Sequence, residues 1–433
     1  MDILRAVPSC TVFLLVFAIA QGAPYSGSSP APDQVTAPVV PASAALRDAV
    51  RRVWDASPEA QASRALVESA RAKAEAAAQP IYNPALGFDA ENADVDRRAA
   101  RISLPLDLSG KRDARASQGA AELRASEARH ALLRRDIAAR WLTAWSTATL
   151  ATRQVELGRQ RVESMRRFDQ LAAQRLAVGD ISSPERDLAG LALGEAQIQQ
   201  AALEGNEAAA RAVLAGIGGA PADDGDWPSL PGTLPSEAAG ITPRTLDDLP
   251  QIATGRAELA GADARVVVAR RARIPDPELS LTGGQVRVGG VTDRVIGVSV
   301  SIPLPVFNDG RAEVMAARAE ADAASASLQA QRQVAIASLH EARARYGALH
   351  AAAVSFRGGR AAAFADRTAL LEKLWRAGEI GTSDYLVQLK QSLDTALSGQ
   401  ELESRLWQAW FDYLAAAGRL ADWIDGRDLE TSR

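Results

Sequence analysis

The side chains that could carry chemistry are few in this sequence, and they are widely spaced. The histidines are His130, His340 and His350, and the last two stand ten residues apart, too far for neighbouring turns of one helix face. The single cysteine is Cys10, and no serine, histidine and aspartate follow a spacing typical of nucleophilic catalysis. We therefore expect no catalytic residue, no metal site and no cofactor, and the sequence argues against an enzyme.

A glycine, an acidic residue and an isoleucine occur together twice, 199 residues apart. The two sets are Gly179, Asp180 and Ile181, and then Gly378, Glu379 and Ile380. Glycine at the end of a helix supplies the left-handed residue that terminates it, so each set predicts a turn. Carboxylates gathered at one place raise the local cation concentration and repel each other. The sets are therefore candidates for a site that attracts cations, and the alternative is two ordinary capped turns with solvated acids.

The composition places the chain among folded proteins that do not bind nucleic acid. Its 433 residues are 47% hydrophobic and 24% charged, and the net charge is -4 with acidic and basic residues interleaved. Residues 1–20 are typical of a secretory signal peptide, and residues 21–45 form a linker rich in Pro, Ala and Ser. No later stretch reaches the roughly 18 apolar residues of a transmembrane helix, so a membrane crossing would need a closed β-barrel.

Two long stretches without proline predict two long helical hairpins. Both stretches are rich in Ala, Leu, Arg, Glu and Gln, which favour helices, whereas proline breaks them. The long helices are predicted at about 111–177 and 309–376. Each chain segment turns at its glycine and returns as a second helix, so the hairpins cover 111–217 and 309–422.

Short segments with alternating apolar residues predict four strands, at about 85–91, 100–107, 278–286 and 294–304. Leu86 and Phe88 share one face of the first strand. Val298, Val300 and Ile302 share one face of the last strand, with serines at 299 and 301 on the other. These five residues are candidates to face lipid. Small soluble hairpins are the alternative that the alternation alone leaves open.

The passage from strand to helix occurs twice with the same residue types. Pro105 and Gly110 match Pro305 and Gly310, each at a spacing of 200. The sequence thus predicts two repeats, 46–217 and 251–423, joined by an equatorial linker at 218–250 and followed by a tail at 424–433. Each repeat supplies two strands. Four strands cannot close a barrel and would leave exposed edges, so several chains must pool theirs.

These segments resemble the TolC-like outer-membrane efflux proteins of Gram-negative bacteria, and most of all their CzcC-like branch. The resemblance is carried by "NPALGFDAEN" with "LDLSGKRDAR", and by "DPELSLTGG" with "VIGVSVSIPLPVFNDGRAEVMAARAEA". It implies a mainly α fold with a small β part, closed as a homotrimer with a twelve-stranded barrel in the outer membrane. It also implies that the helices cross the periplasm as a tunnel, with the equatorial linker and the tail as a belt around it.

The same resemblance implies a function and partners. The chain would be the passive exit duct of a tripartite efflux system, working with a periplasmic adaptor and an inner-membrane RND pump, for heavy-metal cations. The two glycine turns would form the periplasmic tip that meets the adaptor. A duct for drugs or for type I secretion, and a soluble periplasmic coiled-coil scaffold, are the alternatives. The chain departs from the pattern at Ser109 and at Leu374, where the first turn has an arginine, and these differences concern the partner more than the fold.

Overall fold

The structure, a computed structural model, describes residues 41–92, 95–218, 228–238, 241–359, 364–427 and 429. The predicted signal peptide, all but the last five residues of the predicted linker 21–45 and half of the predicted tail 424–433 lie outside the described residues. The first half contains α1 (Ala44–Ala56), α2 (Pro58–Ala78), β1 (Ala85–Glu91), β2 (Val95–Pro105), α3 (Lys111–Ala177) and α4 (Ser183–Gly218). The second half contains α5 (Pro250–Ala272), β3 (Glu278–Val288), β4 (Val291–Ser301), α6 (Arg311–Gly358), α7 (Phe364–Arg376), α8 (Thr382–Ala416) and α9 (Leu420–Asp425). The predicted fold, mainly helical with four antiparallel strands, is confirmed.

The first long helix, α3, is a single element of 67 residues, about 100 Å long at 1.5 Å per residue. Small residues let the shorter helices approach it closely. A Cβ on Gly119 would lie 2.9 Å from the Cα of Ala74 in α2, and a Cβ on Gly158 would lie 2.8 Å from the Leu203 side chain in α4. The two shorter helices therefore pack against successive lengths of α3, with α2 near the strands and α4 beyond it.

The second half repeats this packing around α6. A Cβ on Gly255 of α5 would lie 3.0 Å from the Leu328 side chain, and a Cβ on Gly399 of α8 would lie 2.3 Å from the Phe356 ring. In addition, α5 packs against α3 of the first half. The helices of the two halves are thus joined mainly through α5 near the strands and through α8 further along.

The four strands form one antiparallel sheet in the order β1-β2-β3-β4. Leu86 pairs with Ile102, Ile102 with Leu281 and Leu281 with Val298, so these four side chains form one row across one face. β3 and β4 are joined directly by Gly289 and Gly290, which have φ angles of 55° and 90°. Positive φ at both positions is what a tight two-residue hairpin turn requires.

The two faces of the sheet differ in exposure. On the face that carries the row from Leu86 to Val298, the side chains are exposed at almost every position. On the opposite face Ser280 and Ala99 are buried, and a Cβ on Gly284 would lie 2.3 Å from the carbonyl oxygen of Arg98. We infer from this crowding that the face with Ser280 and Ala99 is concave, and we call the apolar face the convex face.

Three strands have limits different from those predicted. β3 ends at Val288 rather than near residue 286, and the differences are larger for β2 and β4. β2 begins at Val95 rather than near residue 100, because its charged residues Asp96–Arg98 pair along β3 although they alternate poorly. β4 covers Val291–Ser301 rather than 294–304. It ends where Pro303 and Pro305 remove backbone donors, and Ile302 therefore lies one residue beyond the strand.

Two predicted helices are interrupted. The helix predicted at 309–376 ends at Gly358, where Gly359 takes an extended conformation, and α7 begins at Phe364, with residues 360–363 outside the described part. The returning helix of the hairpin predicted at 309–422 ends at Ala416, because Gly418 has a φ of 72° and closes a C-terminal turn. α9 then starts at Leu420.

The largest hydrophobic core lies around the middle of α3, where α1, α6, α8 and α9 converge. Its largest fully buried side chains include Trp141, Trp145 and Trp410. The described parts of the linker 218–250 cover this core, since the Trp145 indole donates to the Pro228 carbonyl over 3.0 Å and the Tyr346 hydroxyl donates to the Ser236 carbonyl. None of the helices among the described residues combines the length and the apolarity that spanning a membrane requires.

Candidate functional site

The two predicted glycine turns have the same backbone geometry. Gly179 and Gly378 have φ angles of 80° and 76°. After each glycine the next amide reaches back five residues, from Asp180 to the Arg175 carbonyl over 2.8 Å and from Glu379 to the Leu374 carbonyl over 3.0 Å. This bond terminates each helix in the left-handed manner, so each predicted set does form a turn.

An aromatic cluster holds the two turns together. We call Phe168, Trp375 and Tyr385 the tip cluster, and their ring centroids lie 4.6 to 5.3 Å apart. Ile181 and Ile380 are half-buried and pack against this core. The structure therefore brings the two predicted sets together at one end of the helical hairpins.

Arg175 connects the two turns directly. Its Nη2 atom donates to the carbonyl oxygens of Trp375 and Arg376 over 3.4 and 3.1 Å, and its guanidinium lies 4.6 Å from the centre of the Trp375 ring. The corresponding position in the second half holds Leu374, which has no donor. Arg175 thus fastens the first turn to the second within one chain.

The two predicted acids differ in their surroundings. Asp180 is 63% exposed, and its Oδ2 lies 3.6 Å from Nε of Arg175. Glu379 is exposed. Solvent screens an exposed pair at this distance, so the ion pair contributes little stability. Both carboxylates remain at the surface of the tip, and their effect on cations stays a prediction.

The first strand-to-helix transition is built on Gly110, whose φ is 74°. The Asp107 carboxylate accepts hydrogen bonds from the backbone N–H groups of Lys111 and Arg112 over 2.9 and 2.8 Å, and so caps the start of α3. Burial favours the neutral carboxyl, but these backbone donors outweigh it and lower the pKa of Asp107. Pro105 is the last residue of β2.

A buried carboxylate connects this transition to the second half. Asp276 is 8% exposed, and its Oδ2 accepts from Nζ of Lys111 over 2.8 Å and from the Tyr82 hydroxyl over 2.5 Å. The hydrogen bond to Asp276, together with burial and the negative charge, raises the pKa of Tyr82 to about 12. The start of α3 is therefore attached to the segment that leads into β3.

The second transition also turns at a glycine, but its capping aspartate, Asp309, directly precedes that glycine, whereas Asp107 stands three residues before Gly110. Among the described residues this transition has no ion pair to the other half, and Arg311 pairs instead with Asp309 over 2.7 Å. Gly310 has a φ of 66°, and the Asp309 side chain accepts from the Arg311 amide over 3.0 Å. The Arg311 side chain, which corresponds to Lys111, is 75% exposed, whereas that of Lys111 is 17% exposed. Pro305 lies beyond the end of β4.

The predicted lipid-facing residues lie on the convex face of the sheet. Leu86, Phe88, Val298 and Val300 are between 63% and 78% exposed. Ile302 is 56% exposed and lies just past β4. An exposed apolar surface of this kind marks a place where a protein meets another protein or a membrane.

The histidines lie far from this surface. His130 is hydrogen-bonded to Ser63 over 3.0 Å, and His350 contacts the Pro235 carbonyl over 3.1 Å. Burial, with the nearby charges of Arg134 and Arg64, lowers the pKa of His130. Among the described residues no three histidine, cysteine or acidic side chains come close enough to bind a metal ion together.

The sequence is similar to known outer membrane efflux and metal-resistance proteins. The family model described as "Outer membrane efflux protein" matches residues 242–418. The cobalt-zinc-cadmium resistance protein CzcC of Cupriavidus metallidurans is 28% identical over 248 residues, which cover 56% of this chain and 59% of the relative. The nickel-cobalt-cadmium resistance protein NccC of Alcaligenes xylosoxydans xylosoxydans is 29% identical over 273 residues, which cover 60% of this chain and 61% of the relative. The chain spans about three fifths of the length of these curated relatives.

The fold is also found among solved structures. A membrane protein from Pseudomonas aeruginosa superposes with a TM-score of 0.72 at 20% sequence identity, over 90% of this chain and 99% of that one. The likeness extends over both halves, whereas the family model matches the second half. Both halves therefore belong to one architecture.

The contacts of two residues in these sites were not predicted from the sequence. Arg175 was visible as an arginine present before one turn and absent before the other, but its contact with Trp375 depends on how α3 and α7 pack. Asp276 stands before a proline at the start of a strand, which indicates a turn rather than a buried ion pair. Neither contact follows from a local pattern.

Proposed function

We propose that the chain is a member of the TolC-like family of outer membrane efflux proteins and that it is the exit channel of a tripartite efflux system. The family consists of transport proteins rather than enzymes. Members of the family are located in the outer membrane of Gram-negative bacteria with their helical part in the periplasm, and we propose the same location for this chain. The observation that carries the proposal is the sheet, which has open edges and an apolar convex face. Its strands continue into long helices, and the far ends of these helices meet in one tip.

The sheet supports closure by several copies. Within the described residues β1 pairs only with β2, and β4 pairs only with β3, so both edges of the sheet are open. Open edges of this length invite pairing with another chain, and lipid satisfies no backbone hydrogen bond. We propose that β4 of one copy pairs with β1 of the next, and that three copies close a twelve-stranded barrel.

The repeat predicts where the copies touch. Inside one chain, Lys111 of the first half contacts Asp276 of the second. Arg311 corresponds to Lys111, and Asn83 corresponds to Asp276, since each of the latter two precedes a proline at the start of a strand. In a ring of equivalent halves, Arg311 of one copy therefore lies beside Asn83 of the next. The exposure of Arg311 in the single chain fits this arrangement.

Cysteines at these positions test the ring. The double variant Asn83→Cys, Arg311→Cys is expected to give dimers and trimers on a denaturing gel after treatment with a short bismaleimide. The matched control is Lys111→Cys, Asp276→Cys, which should cross-link within one chain and leave the mass unchanged. Monomers from both variants, with the protein recovered from the outer membrane, would contradict the proposed ring.

Heavy-metal cations are the proposed substrate. The support is the similarity to CzcC and NccC, whose names describe resistance to cobalt, zinc and cadmium and to nickel, cobalt and cadmium. A duct needs no tight metal site, because an ion that must leave should not be held strongly. The proposed partners are an inner-membrane RND pump and a periplasmic adaptor that meets the tip formed by Gly179, Asp180, Ile181, Gly378, Glu379 and Ile380.

Removing the gene from its host tests the substrate. We expect severalfold lower resistance to Zn²⁺, Co²⁺ or Cd²⁺ and a matching rise in cell-associated metal, both restored by the wild-type gene. Retention of a hydrophobic dye such as ethidium is the parallel measurement. Unchanged metal content with increased dye retention would show that the duct serves drugs instead.

A further inference from the structure

The convex face of the sheet changes from apolar to basic at one row of residues. Next to the row of Phe88, Ala100, Gly283 and Ile296 lies the row of Ala90, Arg98, Gln285 and Arg294. The following row contains Asp96, Arg287 and Thr292. Arg98 and Arg294 belong to the first of these two rows and Arg287 to the second, and we call the three together the arginine row. All three are exposed on the face that carries the proposed lipid contacts.

The position of the arginine row can be set against the membrane. Val300 lies near the middle of the exposed apolar residues that extend from Ile296 to Leu304. Arg294 stands six residues from Val300. For a strand rise of about 3.3 Å and a tilt of about 40°, this corresponds to roughly 15 Å along the membrane normal. The arginine row therefore lies at the edge of the apolar layer, on the side away from the helices and hence in the outer leaflet.

The local charge on this face is positive. Asp96 offsets part of it, since its Oδ1 lies 3.6 Å from Nε of Arg98. Arg287 donates to the Thr292 hydroxyl over 3.2 Å, a neutral partner. Among the described residues of this face, three arginines against one aspartate leave a net charge of +2 per chain, on a chain whose total is -4. The sequence thus concentrates cations on a face that is otherwise apolar.

The spacing suits phosphate groups. Arg98 and Arg294 are two strands apart, or about 10 Å at about 4.8 Å per strand, and Arg287 lies between them in the next row. Guanidinium groups bind phosphate with two parallel hydrogen bonds, and long arginine side chains reach from an apolar surface to the headgroup level.

We propose that the arginine row binds the phosphate groups of an anionic lipid in the outer leaflet. This proposal rests on the proposed membrane-facing role of the convex face. Charge complementarity and direct continuity with the apolar layer identify a lipid, rather than a soluble anion, as the occupant. The consequence would be a barrel held at a defined depth by its outer rim.

Purified protein with added lipid tests this inference. The variant Arg98→Gln, Arg294→Gln should bind lipid A, a glycolipid with phosphate monoesters, about tenfold more weakly than the wild type, measured by native mass spectrometry after delipidation. The matched control is Arg101→Gln, on the concave face beside Asp89, which should bind lipid A as the wild type does. Phosphatidylcholine and inorganic phosphate serve as the zwitterionic and the soluble probes.

Each outcome bears on a different claim. Equal lipid A binding by the wild type and the double variant would overturn the inference, as would equal binding of phosphatidylcholine. Binding of inorganic phosphate that lipid A does not displace would show that the site serves a soluble anion. Cross-linking through Asn83→Cys and Arg311→Cys, repeated in the double variant, shows separately whether the channel itself has formed.

Discussion

Val298→Arg is expected to lower strongly the amount of assembled trimer in the outer membrane. Val298 is 70% exposed on the convex face, one row away from Val300. An arginine on the lipid face near the midplane costs roughly 2–4 kcal/mol, and in a ring of three copies this cost arises three times. The measurement is the amount of trimer in the outer-membrane fraction, resolved on gels without boiling.

The matched control for this prediction is Ser301→Arg. Ser301 lies on the other face of β4 and pairs directly with Glu278, so an arginine there gains a carboxylate across the strands. It should assemble close to the wild-type level. Equal loss of trimer in both variants would show that the convex face is not the lipid face.

The double substitution Gly179→Val, Gly378→Val is expected to abolish metal resistance while the barrel still assembles. A Cβ at either glycine would meet no atom within 4 Å, so the space is free and the cost lies in the backbone. A β-branched residue held at positive φ costs on the order of 1–3 kcal/mol. That cost is large enough to distort the turn but too local to unfold hairpins of this length. Resistance to Zn²⁺ is the main measurement.

Two further measurements connect this result to docking. Ile181 and Ile380 are half-buried in the tip, so Val178, which is 80% exposed, is the better position for a cysteine that cross-links to the adaptor. The matched control is Gly179→Asn, Gly378→Asn, because asparagine tolerates positive φ. Normal resistance and normal cross-linking in the valine variant would refute the docking role of the turns.

The sequence predicted those parts of the fold that depend on local signals. α3 has the predicted limits because a glycine precedes it and another follows its end. The pair Gly358–Gly359 was an equally local signal for a helix end, but it was outweighed by the alanine-rich segments on either side. β2 was predicted too short because Asp96 and Arg98 made half of the strand read as a loop, although the pairing with β3 continues through them.

The sites depend on contacts that no local pattern contains. The alternation at Val298 and Val300 identified an apolar face, but only the register of four strands shows that this face ends at a row with Arg98 and Arg294. In the same way, the spacing of 200 related Lys111 to Arg311, but the pairing of Lys111 with Asp276 needed the packing of two halves. The roles of the tip and of the lipid face themselves stay predictions.

The unbroken α3 also sets a length for the whole assembly. It joins the strands to the tip as one rod of 67 residues, and its partners α2 and α4 lie against fixed faces of it. Removing one residue would rotate everything beyond it by about 100° and turn those faces away from their neighbours. Channels of this design can therefore change length only in steps of about seven residues, or roughly 10 Å, made together in every helix at that level. A periplasm of different width would be bridged more readily by changing the proposed adaptor than by changing this chain.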